Sequence, residues 1–176
     1  MQQVETYIGK EVLESIPLMR GMMWEKIEEF GELMKIHLDD CVSHLPGEKQ
    51  SEELKEIFPL KQHLESGIYT RELFMPKGSL VVSMIHKQNH PSFLLKGKVS
   101  YLTDEGIVET ISAPHTIFTK EGAQRVLYIH EDTDWACVYK TNAITFEEAE
   151  ADVYTFDYKS LPKALINKKK LLWKNC

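Results

Sequence analysis

The chain has 176 residues, of which 43% are hydrophobic and 27% are charged, a balance typical of one globular domain with an attached element. Its net charge of −6 at pH 7 argues against a protein that binds nucleic-acid polymers. No apolar run approaches the roughly 20 residues of a membrane-spanning helix. The N-terminus is polar and the three cysteines contain no CxxC pair, so we expect a cytoplasmic protein without disulfides or a membrane partner.

Residues 1–66 are predicted to form a helical N-terminal arm. Between residues 18 and 41, apolar side chains recur at steps of three and four, which is the pattern of an amphipathic helix. These side chains are Met19, Met23, Ile27, Phe30, Met34 and Leu38. A short second helix is expected to begin at Ser51 and to end near Phe58. Because the arm has too few apolar partners of its own, the stripe must pack on the following domain or on a second copy, and we expect a homo-oligomer assembled through this helix.

Residues 67–142 are predicted to form an antiparallel β-sandwich or barrel, because short β-branched and aromatic runs alternate there with turn signals. The expected strands are 68–75, 79–87, 92–102, 106–112, 115–119, 124–130 and 134–140. The polar run His130-Glu131-Asp132 is expected to form a hairpin turn between the last two strands.

Residues 143–176 are predicted to form a C-terminal extension that ends in a helix. Thr145-x-x-Glu148 matches a capping box, which indicates the start of a short helix. Ser160-Leu161-Pro162 indicates the start of the last helix, with proline near its first turn.

One motif in the β-rich region has a spacing of particular interest: Gly78-x5-Met84-x-His86-x3-His90-x6-Gly97. It resembles the first motif of the cupin superfamily, which reads Gly, five residues, His, one residue, His, three or four residues, Glu, six residues, Gly. Both glycines and His86 match at the right distances. Met84 stands where the first histidine belongs, and His90 stands where the glutamate belongs.

Residues 114–129 lie where the second cupin motif is expected, and there Gly122 alone matches, while Arg125 stands in place of the histidine. The wider chain also resembles small cupin-like proteins encoded by tailed bacteriophages. The resemblance implies a mainly β, antiparallel jelly roll (a double-stranded β-helix) with a pocket in its mouth. It implies no single activity, since cupins include dioxygenases, isomerases, decarboxylases and ligand sensors.

The alternation of side chains along strands predicts that Met84, His86, His90, Ser92 and Arg125 face this pocket. Two imidazoles and a permanent guanidinium suit an anion such as a phosphate, a carboxylate or a nucleotide-like ligand. We therefore expect a non-catalytic protein that binds a small anionic molecule and uses no cofactor. In a phage, such a protein could sequester a host signalling molecule.

Two other functions stay open on the sequence. A metal-dependent cupin enzyme could use His86 and His90, but these supply only two of the three or four ligands that a divalent metal needs, and Arg125 repels a cation. A structural protein could instead assemble through the helical arm. Four of the site residues also have a structural alternative: Met84 as a packing residue, His86 as a core histidine, His90 as a turn residue, and Arg125 as the ion-pair partner of Glu131 or Asp132.

Overall fold

The computed structural model describes residues 10–16, 23–37, 52–103 and 106–173, which form a mainly β, antiparallel fold. The helices are α1 (Lys10–Ser15), α2 (Met23–His37), α3 (Glu52–Ile57), α4 (Phe146–Val153) and α5 (Lys163–Trp173). The strands are β1 (Leu60–Glu65), β2 (Ile68–Met75), β3 (Leu80–Val82), β4 (Ile85–His86), β5 (His90–Leu102), β6 (Val108–Ser112), β7 (His115–Thr119), β8 (Val126–Lys140) and β9 (Tyr154–Thr155). Within these ranges, no helix is long and apolar enough to cross a membrane.

Two long strands, β5 and β8, form the centre of the larger sheet and run antiparallel to each other. On its other side, β8 pairs with β2 along one half and with β3 along the other. In the same way, β5 pairs with β7 along one half and with β6 along the other. The outer strand β1 extends the sheet beyond β2, and β4 pairs with β9 in a small second sheet. This is the antiparallel, mainly β architecture that the sequence predicts.

The central pair of strands changes register at Gly97. Gly97 has a φ of +91°, and a Cβ atom there would lie 2.6 Å from the carbonyl oxygen of Asp132 and closer still to Oγ1 of Thr133. The position therefore accepts only glycine. The predicted hairpin turn at residues 130–132 is wrong, because Glu131 and Asp132 lie exposed within this irregular stretch and β8 continues through them.

Two further segments differ from the sequence expectation. The predicted strand 79–87 is interrupted at Ser83 and Met84, and its two halves belong to different sheets. At the interruption, the backbone N–H of Ser83 donates to the carbonyl of Arg125 and Oγ of Ser83 accepts from the backbone N–H of Arg125, both at 2.8 Å. Strand β1 was not predicted and lies within the range 1–66 that was assigned to a helical arm. Its alternating half-buried and exposed residues are typical of a strand at the edge of a sheet.

The apolar stripe of the N-terminal region packs on the chain's own β-domain where it is described. Ile27 and Phe30 of α2 are buried in one cluster with Leu13 of α1 and with Leu102 and Val126 of the sheet. The side chains of Met19, Met23, Met34 and Leu38 lie outside the described part of the chain. Assembly of a homo-oligomer through this helix stays a prediction.

The C-terminal helices begin as their capping signals predict. Oγ1 of Thr145 accepts a hydrogen bond from the backbone N–H of Glu148 at 3.2 Å, which caps α4. The first turn of α5 begins at Pro162, whose carbonyl accepts from the N–H of Leu165 at 2.9 Å. Since α4 lies against β1 and β9, it brings Glu150 close to strand β2.

Candidate functional site

A cavity of about 170 Å³ lies between the inner faces of β2, β3, β5 and β8, with β4 and β9 at one side. Most of its wall is apolar and comes from side chains such as Leu73, Val82, Leu127 and Trp135. The polar side chains in its wall are Arg71, Ser83, His86, Ser92, Arg125, Cys137 and Tyr154. An apolar cavity with a few convergent polar groups is the usual form of a small-molecule site.

The sequence-predicted site residues lie close together. Met84, His86, Ser92 and Arg125 all line the cavity. His90 does not line it and is only 1% exposed, with its ring centre 4.6 Å from that of His86. The expectation that His90 faces the pocket is therefore wrong. His90 packs against the ring of His86 on the side away from the cavity. The difference arises because β5 begins at His90, which makes it a buried strand residue and not the turn residue considered above.

Arg125 reaches the cavity from the segment before β8. Its Nη1 donates to Oγ1 of Thr119 at 3.2 Å, and that oxygen is also 2.9 Å from Oγ of Ser92. No acidic side chain in the described ranges forms an ion pair with Arg125, so the alternative that Glu131 or Asp132 neutralises it is wrong. Among the described residues, the guanidinium therefore has no carboxylate partner at the cavity wall and contacts only neutral groups such as the Tyr101 ring, whose centre lies 5.5 Å from its carbon, which favours an anion there.

Both histidines are held in the neutral form. Burial lowers the pKa of His86 well below its ordinary value, and the charges of His90 and Arg125 lower it further. Burial also lowers the pKa of His90 to about 4, against the opposing effect of its hydrogen bond to the Gln88 carbonyl. At neutral pH each imidazole therefore has one N–H to donate, and Arg125 supplies the positive charge of this group.

Two buried tyrosines connect to His86. The hydroxyl of Tyr139 lies 3.2 Å from Nδ1 of His86 and 2.7 Å from the hydroxyl of Tyr154. Burial raises the pKa of both phenols, so they stay protonated. The alternative of a hydrogen-bonded core histidine therefore holds in part for His86, which also lines the cavity.

His90 carries a buried nitrogen without a partner. Its Nδ1 lies 3.1 Å from the carbonyl of Gln88, which can only accept, so Nδ1 carries the proton. Nε2 then has a lone pair, and no hydrogen-bond partner for it exists among the described residues. This tautomer is set by the backbone and leaves His90 a poor donor toward a ligand.

Sequence reasoning missed Arg71, Cys137 and Tyr154. Arg71 lies on β2 and its Nη1 forms an ion pair with Oε1 of Glu150 at 2.9 Å. Its guanidinium carbon lies 5.3 Å from the centre of the Tyr154 ring. The one signal available was a cation in the strand Ile68–Met75, which also carries Thr70 and Glu72 and so by itself does not indicate a binding site.

The described residues do not fit a divalent metal. Within ranges 10–16, 23–37, 52–103 and 106–173, no three His, Cys, Asp or Glu side chains converge as a metal site requires. His86 is beside His90, whose available nitrogen is buried, and the remaining neighbours in the cavity wall include the thioether of Met84 and the cation of Arg125. His86 and Cys137 are then the two strong metal ligands in the cavity wall among the described residues, fewer than the three or four that iron, manganese or zinc requires.

No family model matches the chain, and no curated protein matches it. Among solved structures, it is similar to the EutQ protein of Clostridium difficile, with 12% identity, a TM-score of 0.40, and coverage of 48% of this chain and 68% of that one. It is similar to an RmlC-like cupin family protein with a double-stranded β-helix fold from Methanocaldococcus jannaschii, with 6% identity, a TM-score of 0.42, and coverage of 59% and 93%. It is also similar to the Cnp3 cupin domain of Schizosaccharomyces pombe, with 15% identity, a TM-score of 0.40, and coverage of 56% and 72%.

Proposed function

We propose that this chain is a cupin-like protein that binds a small organic anion in the cavity without catalysing a reaction. The observation that carries the proposal is the position of Arg125, which lines the cavity and has no acidic partner among the described residues. A guanidinium offers two parallel N–H donors to a carboxylate or a phosphate. Because apolar walls surround it, a bound anion is attracted more strongly than it would be in bulk water.

The size of the cavity limits the ligand. Its volume is about 170 Å³, and an engineered apolar cavity of roughly 150 Å³ accommodates benzene. A carboxylate or phosphate group with a short aliphatic or aromatic substituent matches this space. A nucleotide-like ligand would bind through its phosphate and extend its base beyond the cavity.

The neutral imidazole of His86 complements Arg125 in this proposal. A neutral imidazole can donate one hydrogen bond without adding charge. In the described part of the chain, the polar part of the site thus combines the guanidinium of Arg125, which has no carboxylate partner there, with an additional neutral donor. Ser92 can supply a further hydroxyl to the ligand, since its Oγ already lies beside the Arg125–Thr119 hydrogen bond. This donor set suits recognition of an anion and contains no evident nucleophile with an adjacent base.

The first experiment identifies a co-purified ligand. Purified protein is denatured, and the released small molecules are analysed by mass spectrometry alongside the metal content of the native protein. We expect an organic anion and no stoichiometric metal. The resemblance to phage-encoded proteins is the reason to include phosphorylated and nucleotide-like host metabolites among the reference compounds. One equivalent of a transition metal without an organic ligand would contradict the proposal and favour the metalloenzyme alternative.

The second experiment tests the anion contact itself. Titration calorimetry with the released anion compares the wild type with Arg125→Met and with the control Lys96→Met, which removes an exposed cation outside the cavity. Loss of a charge-assisted hydrogen bond predicts about 10- to 100-fold weaker binding for Arg125→Met. The control should bind as the wild type does. Equal affinities of the two variants would refute the role of Arg125.

A further inference from the structure

The cavity wall contains a second guanidinium, that of Arg71. Arg71 on β2 is paired in register with Cys137 on β8, and Cys137 is paired with Ser92 on β5. Because neighbouring strands are about 4.8 Å apart, the Cα atoms of Arg71 and Ser92 are separated by about 10 Å. Ser92 is linked through Thr119 to Arg125. The two guanidiniums therefore belong to one row of polar side chains that crosses the cavity wall.

The partner of Arg71 comes from outside the cavity. Glu150 extends from α4 and its side chain is 42% exposed, whereas the Arg71 side chain is 14% exposed. Glu150 also accepts a hydrogen bond from Nε2 of Gln62 at 2.9 Å. Because water screens the charge of a half-exposed carboxylate, the ion pair with the largely buried Arg71 is weaker than a fully buried pair would be.

The ring of Tyr154 also holds the side chain of Arg71 in place. The ring of Tyr154 lies 5.3 Å from the guanidinium carbon, a distance at which a cation is attracted to an aromatic face. A guanidinium has five N–H groups, and the bond to Glu150 occupies one of them. Donors of Arg71 are therefore left for a second anionic group within the cavity, and Glu150 opposes such a group from outside the cavity because both are negatively charged and attract the same guanidinium.

We propose that the ligand carries two anionic groups, one bound by Arg125 and the other by Arg71 in competition with Glu150. This inference rests on the proposed function and narrows it to short dicarboxylates or phosphorylated carboxylates. A molecule with one anionic group would contact Arg125 and leave Arg71 with its partly exposed partner. Arg71 is thus the residue that makes the site prefer a dianion, and the negative charge of Glu150 weakens this preference.

The test uses succinate and butyrate, which have chains of four carbons and differ in one carboxylate. In calorimetric titrations, we expect wild-type protein to bind succinate at least about tenfold more tightly than butyrate. Arg71→Met should bring the ratio of the two affinities close to one, whereas Arg125→Met should weaken binding of both probes. Glu150→Gln should strengthen succinate binding several-fold, because it removes the competing charge and keeps the shape. Glu147→Gln, an exposed change of the same kind on the same helix, should have no effect.

The outcomes separate this inference from the proposed function. Equal affinities for succinate and butyrate, both lost in Arg125→Met, would overturn the dianion preference and leave the proposed function intact. Binding of neither probe, together with no anion released from the protein, would overturn both. If circular dichroism shows that Arg71→Met is unfolded, Arg71→Lys and Glu150→Gln decide: an unchanged succinate-to-butyrate ratio in both variants would overturn the inference.

Discussion

Gly97 provides a sharp test of the fold around the site. Gly78 and Gly97 are the two glycines that define the motif, and both have positive φ angles, +86° and +91°. They differ in their surroundings. A Cβ atom at Gly78 meets nothing within 4 Å, whereas one at Gly97 would meet the backbone oxygen of Asp132 at 2.6 Å. Alanine at either position should therefore cause similar backbone strain, but only alanine at Gly97 should create a steric clash.

The structure gives the size of the expected effects. Alanine at a positive φ costs about 1–2 kcal/mol of folding free energy, and we expect this loss for Gly78→Ala. In Gly97→Ala the strand β8 must also shift to relieve the contact with Asp132, and overpacking of this kind costs roughly another 1–3 kcal/mol. We therefore expect Gly97→Ala to lower the free energy of unfolding by about 2–5 kcal/mol.

Urea denaturation monitored by circular dichroism measures both free energies of unfolding. The comparison requires similar m-values, which show that the two variants unfold from states of similar compactness. Gly97→Ala should lose clearly more stability than Gly78→Ala. Equal losses would show that β5 and β8 do not approach each other closely at Gly97. They would also contradict our explanation that this close approach accommodates Glu131 and Asp132 within a continuous strand β8.

Three further predictions follow from burial and charge. The low pKa of about 4 for His90 means that the unfolded chain binds the proton first as the pH falls. The contribution of His90 to the free energy of unfolding should therefore be complete above about pH 6.5 and fall by about 3 kcal/mol by pH 4. His86 should add a loss of the same sign, because its pKa is lowered as well, so His90→Gln should reduce this pH dependence in urea titrations without abolishing it. Arg125→Met should raise the pKa values of His86 and His90 in NMR titrations, because the positive charge of Arg125 adds to the lowering of both values by burial. Unchanged pKa values would mean that the guanidinium does not lie beside the two imidazoles. Ile27→Asp, at a side chain only 1% exposed, should cost about 3–5 kcal/mol, whereas Leu95→Asp at a 52% exposed position should cost little. Dissociation of a homo-oligomer by Ile27→Asp without loss of stability would instead support assembly through α2.

Sequence periodicity was sufficient for the features that depend on near neighbours. Motif spacing correctly brought Met84, His86, Ser92 and Arg125 to a common cavity wall, although Met84 and Arg125 lie outside the strands and His90 is buried behind that wall. Turn and capping residues correctly located several element ends, among them the start of α4 at Thr145. These features follow from the two-residue repeat of a strand and from local hydrogen bonds, which operate over a few residues of chain.

By itself the sequence determined an antiparallel, mainly β chain in which the cation Arg125 shares a cavity wall with mostly apolar residues. Only the tertiary structure decided that Glu131 and Asp132 continue a strand, because they fit into β8 only where the facing strand has Gly97. Likewise, Arg71 became part of the site through its pairing across the sheet and its contact with Glu150, 79 positions away in the chain. Such contacts arise from which strands pair and which helix packs beside them, and no local pattern carries that information.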